Sequence, residues 1–125
     1  MAERVGEDGV PRSLDELSAR LRAFANARDW AQFHSPKNLV MALIAEAGEL
    51  VEQFQWLSEQ QSAALAPQQL EAVRLEMADV LIYLVRLADV LGVDLLGAAA
   101  DKLVLNEQRY PVERVRGSAR KHDEY

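Results

Sequence analysis

Leu75-Glu76-Met77-Ala78-Asp79-Val80-Leu81-Ile82-Tyr83-Leu84-Val85-Arg86-Leu87-Ala88-Asp89-Val90-Leu91 is apolar almost throughout. At about 100° per residue its apolar side chains cover nearly the whole circumference of a helix. No alternation of period two competes with that reading. A helix apolar all round is buried all round, which is more cover than one small bundle supplies, so the run predicts a subunit interface as well as a core. It carries Asp79, Arg86 and Asp89 and is short for a membrane span, so no membrane is expected. Glu76, Asp79, Tyr83 and Arg86 fall on one arc of roughly 80°. A Glu-x-x-Asp on a solvated face needs no partner. Within a buried helix the charges must be paired or bound to metal, and the apolar surroundings favour a functional stripe.

A second acidic pair, Glu46-Ala47-Gly48-Glu49, precedes it. Leu39, Leu43, Leu50, Phe54 and Leu57 form the apolar seam of that helix. Glu46 lies at the seam's margin. Glu49, Gln53 and Trp56 lie further round the same flank, with Asn38 earlier on it. This is a groove wall with acids at its lip. Gly48 costs roughly 1 kcal/mol in mid-helix relative to Ala; close approach of another helix is one reason to tolerate it, and drift is another. Carboxylates three apart share a helix face. Two such pairs on packed helices gather four hard oxygen donors, whose self-repulsion a cation such as Mg²⁺ relieves.

The remaining elements follow from capping signals. Residues 1–12 are polar and read as a loose arm. Ser13-Leu14-Asp15-Glu16 has the form of a capping box, so a helix starts there and runs to about Arg28, with Leu14, Leu17, Leu21 and Phe24 on one stripe. Asp29 to His34 is an aromatic connector. Ser35-Pro36 caps the second helix, which should run to about Ser58. Gln60 to Ala66 reads as a loop. Pro67 starts the third helix and Gly92 ends it. Asp94 can cap a fourth, which ends near Arg109 before Pro111. The expected organisation is an arm over 1–12, one all-α domain of four helices over 13–111, and a charged, loosely held tail over 112–125.

Composition narrows the function classes. Fourteen Lys and Arg stand against twenty Asp and Glu, a net charge of −6. That argues against broad nucleic-acid binding, which needs a basic footprint, but not against a small anionic ligand held by metal and a few cations. There is no cysteine, which removes disulfide and thiolate chemistry. With no signal-type apolar segment in Met1 to Pro11, a cytoplasmic setting is the expectation. Lys102, Asn106 and Arg109 share one face of the fourth helix. They suit either the phosphates of a ligand or merely the helix dipole. Trp30 and Trp56 suit stacking on a nucleobase or plain core packing. His34 suits a ligand contact, a cap or solvent.

The order of these blocks resembles a known family. Glu-x-x-Glu, 26 residues, then Glu-x-x-Asp resembles the signature of the MazG-like, all-α nucleoside triphosphate pyrophosphohydrolases. Arg28-Asp29-Trp30-Ala31-Gln32-Phe33-His34-Ser35-Pro36-Lys37-Asn38-Leu39, Phe54-Gln55-Trp56, Asp79 to Val85 and Asn106 to Pro111 look like its dCTP pyrophosphatase branch. The resemblance covers residues 13 to 120. It implies a four-helix MazG-like bundle in a homo-oligomer, commonly a homotetramer built as a dimer of dimers. It also implies hydrolysis of a (d)NTP to (d)NMP and diphosphate with Mg²⁺, Mn²⁺ being a substitute, and a preference for dCTP or related pyrimidine deoxynucleotides, modified bases included. By the same resemblance Glu46, Glu49, Glu76 and Asp79 hold Mg²⁺, and Trp30 and Trp56 flank the base. Tyr83, Lys102, Asn106 and Arg109 hold sugar and phosphates, and His34 and Asn38 join the substrate-binding set. Some relatives carry a histidine where this chain has Leu21, a departure that bears on base preference. Arg86 and Asp89 are not matched to a family function.

The chemistry is consistent with that set. A triphosphate repels nucleophiles until its charge is neutralised. One carboxylate then takes a proton from the attacking water; Glu49, further round toward the groove, is favoured over Glu46. The alternatives are a non-catalytic nucleotide-binding or helical interaction protein with salt-bridged acids, and a di-metal oxidase. The latter needs Glu-x-x-His pairs, which neither His34 nor His122 supplies.

Overall fold

The computed structural model describes residues 9–119, which are helical with no strand among them. Residues 1–8 of the expected arm and 120–125 of the expected tail lie outside the described residues. The chain divides after Gly92 into two compact units. The first holds α1 (Leu14–Ala27), a 3₁₀ turn (Ala31–Phe33), α2 (Pro36–Glu52), α3 (Glu59–Ser62) and α4 (Pro67–Leu91). The second holds α5 (Leu95–Arg109) and α6 (Val112–Val115). The four long helices are those the sequence predicts.

In the first unit α4 packs chiefly against α2 and less extensively against α1. Ala25, Leu39, Val73, Val85 and Ala88 form the buried core. Leu43, Leu50, Phe54 and Leu57 lie half-buried along the predicted seam. The stripe on α1 ends differently from expectation: Ala25 is buried and Phe24 remains 48% exposed. Phe24 instead meets Trp30 edge to face, with ring centroids 5.7 Å apart, and carries the Arg28 guanidinium on its ring. The Trp30 amide donates to the Ala25 carbonyl and folds the connector back on α1.

Several boundaries differ from the sequence reading. The second helix stops at Glu52, not near Ser58, because the amides of Gln53, Phe54 and Leu57 turn to carbonyls three residues back. The expected loop then contains α3, held by a full capping box: Ser58 Oγ accepts from the Gln61 amide and Gln61 Oε1 from the Ser58 amide. Only half of the box expected at α1 forms. Ser13 Oγ accepts from the Glu16 amide, but the Glu16 carboxylate takes the Arg12 amide. Asp94 stands at the N-cap of α5 without a side-chain cap bond; its carboxylate lies over Gly97, where a Cβ would collide with it. The tail's first residues form the turn α6. Gly48 has open space where a Cβ would stand, so no helix among the described residues of the chain approaches it closely. Within one chain α4 is not buried all round: Met77, Leu81 and Leu84 are 57%, 42% and 37% exposed.

Candidate active site

The packing of α2 on α4 brings the two acidic pairs together. One carboxylate oxygen each from Glu46, Glu49 and Glu76 lies within 4.8 Å of the others. Asp79, one turn beyond Glu76, is not within that group but lines the adjoining cleft with Glu46. Glu46 Oε2 and Glu76 Oε2 are buried with no hydrogen-bond partner. An unpartnered buried carboxylate oxygen costs free energy that a cation recovers. Burial, then the close Glu49 carboxylate, then Asp79 and Glu76 push Glu46 up to about 7. Burial first, then Glu49 and Asp79, also raise Glu76. The donor set is hard oxygen and suits a divalent cation such as Mg²⁺. The cluster can therefore hold a metal ion.

Beside it opens a cleft of about 220 Å³. Leu21, Phe24 and Trp30, supplied by α1 and the connector, and Ile82 of α4 give its apolar walls; His34, Glu46, Asp79, Tyr83 and Arg86 give its polar lining. The volume is below the usual range for ligand pockets, and the mixture of aromatic wall and acids at one end fits part of a flat polar ring next to a charged group.

Of the remaining predicted residues, Trp30, His34 and Tyr83 reach this cleft, while Asn38 and Trp56 do not. Asn38 Nδ2 donates instead to the Phe33 carbonyl at 3.0 Å and ties the 3₁₀ turn to α2. Trp56 is 87% exposed in the turn after α2. Lys102 and Arg109 are exposed on α5, where Asn106 is half-buried.

A network that the sequence reading did not assemble supports the cleft. Arg86 Nε donates to His34 Nδ1 at 3.1 Å and Arg86 Nη1 to Asp89 Oδ2 at 2.9 Å. Arg22 of α1 closes on both Asp89 oxygens, at 3.0 and 2.6 Å. The spacing of Arg86 from Tyr83 placed it on the polar arc. No local signal linked it to His34, 52 residues away, or linked Arg22 to Asp89, 67 residues away.

Comparisons with known proteins bear on the family and the fold. The MazG-like family model matches residues 42–124. The chain is 46% identical to dCTP pyrophosphatase 1 of Rattus norvegicus over 112 residues, 88% of this chain and 66% of that protein. It is 42% identical to dCTP pyrophosphatase 1 of Homo sapiens over 114 residues, 90% of this chain and 67% of that one. The chain thus spans about two thirds of the length of these relatives. The crystal structure of a pyrophosphatase from Archaeoglobus fulgidus superposes with a TM-score of 0.75 at 34% identity, covering 89% of this chain and 99% of that one.

Proposed function

This chain belongs to the MazG-like family, and we propose that it hydrolyses nucleoside triphosphates at the α-phosphate, releasing the monophosphate and diphosphate. The observation that carries this reading is the cluster of Glu46, Glu49 and Glu76, with two buried orphan oxygens, beside an aromatic cleft that Glu46 also lines. Likeness to proteins named dCTP pyrophosphatase supports a preference for dCTP and related pyrimidine deoxynucleotides, modified bases included.

In the proposed reaction Glu46, Glu49, Glu76 and Asp79 would hold Mg²⁺, or Mn²⁺ in its place, which would supply charge neutralisation along the triphosphate and polarisation of the α-phosphate. Glu49 is the exposed member of the cluster and takes the proton of the attacking water. The water oxygen bonds to the α-phosphorus as the bond to the bridging oxygen of diphosphate breaks. Trp30, His34 and the cleft walls receive the base, and Tyr83 the sugar. Asn38 and Trp56, which do not line this cleft, join the proposed base-binding set on the family resemblance alone, as Lys102, Asn106 and Arg109 join the proposed phosphate-binding set.

We also propose that the chain works as a homotetramer in the cytoplasm. The support for self-association is apolar: Met41 and Ile44 of α2 and Met77 and Leu81 of α4 stand 59%, 69%, 57% and 42% exposed. No helix among the described residues is long and apolar enough to cross a membrane.

The test is diphosphate release from a panel of deoxynucleoside and ribonucleoside triphosphates with Mg²⁺. The expected result is cleavage, fastest with dCTP or a 5-substituted dCTP. Glu49→Gln and Asp79→Asn should each lower kcat by about 10²-fold or more. Unchanged rates in both variants would rule out the proposed site.

A further inference from the structure

Arg86 is 7% exposed and sits under the cleft between two fixed partners. Asp89 holds one side of its guanidinium, and Asp89 is itself clamped by Arg22. The other side donates from Nε to His34 Nδ1. A guanidinium has only donors. His34 Nδ1 must therefore present its lone pair, and the imidazole proton must reside on Nε2. His34 lines the cleft, where that Nε2–H is available to a ligand.

We propose that Arg86 is a positioning residue for base recognition: it locks His34 as the Nε2–H tautomer, so that this end of the cleft offers the base hydrogen-bond donors. This rests on the hydrolase reading above and adds the feature that selects the base. Apart from the acids and Tyr83, the polar side chains among the lining residues are Trp30, His34 and Arg86, whose free polar atoms are N–H donors once His34 Nδ1 is occupied by Arg86. Such an edge suits a base with two adjacent acceptors. Cytosine presents these at N3 and O2, and a 5-substituent leaves both unchanged. Uracil and thymine carry a proton on N3, which would face a donor and lose its hydrogen bond on burial. A site built to hydrogen-bond one pattern rejects the other strongly. An imidazole freed from Arg86 would reach either tautomer and tolerate both bases.

The experiment has a spectroscopic arm and a kinetic arm. The chain has two histidines, so a His122→Gln background leaves His34 the sole imidazole for ¹⁵N NMR. The locked state gives an acceptor-type Nδ1 and a protonated Nε2. Arg86→Met, close in length and leaving Asp89 paired with Arg22, should show averaged nitrogens. Its ratio of kcat/KM for dCTP over dUTP should fall by about tenfold or more. Arg86→Lys, which keeps charge but not the fork, should show the same loss. A His34 that is averaged or protonated at Nδ1 in the unsubstituted protein overturns the proposal without any variant having to fold. So does an Arg86→Met protein with tautomer and ratio unchanged. Absence of any nucleotide hydrolysis defeats the hydrolase reading instead, and the NMR arm would still report on the lock.

Discussion

Asp89 shows how one side chain links stability to site geometry. It accepts from Arg22 and Arg86, one on a neighbouring helix and one three residues back on its own. Arg22 first, and Arg86 after it, hold its carboxyl below the ordinary value of 3.8 in spite of burial. A carboxyl depressed in the folded state stabilises the fold above its unfolded value, and the gain is lost as pH falls through the folded one. Asp89→Asn should therefore cost about 2 kcal/mol at pH 7, since Arg86 is buried and would lose its counter-charge. The difference from the unsubstituted protein should shrink as pH falls below 3.8 and through the depressed folded-state value. Urea denaturation across an acidic pH series measures it. The acids of the cluster strain in the other direction: Glu46 is pushed up to about 7 because its burial and its neighbours both disfavour charge. Residues held at such cost are those a bound cation would relieve.

At the scale of elements, local chemistry set most of the boundaries. Ser35 accepts from the Asn38 amide and Pro36 opens α2, as the Ser-Pro pair predicts. Gly92 closes α4 in the left-handed region at φ 70. No atom lies within 4 Å of where its Cβ would stand, so a substitution there meets backbone strain alone. Gly92→Ala should cost about 1 kcal/mol, seen as a lower denaturation midpoint with an unchanged m-value. The seam of Leu39, Leu43 and Leu50 and the polar arc of Glu76, Asp79 and Tyr83 were legible because helical periodicity is a local property. The early end of α2 was not. Phe54 and Leu57 continue its apolar period, yet the backbone turns at Gln53, and period alone cannot separate a helix from a following turn of similar spacing. The Ser58 and Gln61 capping box starts α3 where the sequence reading expects only a loop.

For the whole molecule, the apolar residues left open on α2 and α4 govern the expected assembly. Ile44 is 69% exposed on a helix whose opposite flank carries Glu46 and Glu49. Light scattering after gel filtration should give a mass four times the 14.0 kDa of one chain. Ile44→Glu should shift it to smaller species, because an unpaired charge at an apolar interface is costly. The sequence by itself determined the four long helices, the two acidic pairs and the aromatic blocks. Each depends on residues within a few positions of one another, where caps and periods act. Only the tertiary structure decided which acids meet. It placed Glu46, Glu49 and Glu76 within 4.8 Å and set Asp79 at the cleft beside them. It also joined Arg22 to Asp89 and Arg86 to His34. Those contacts follow from how α1, the connector and α2 lie on α4, and no local pattern encodes a packing arrangement between distant segments.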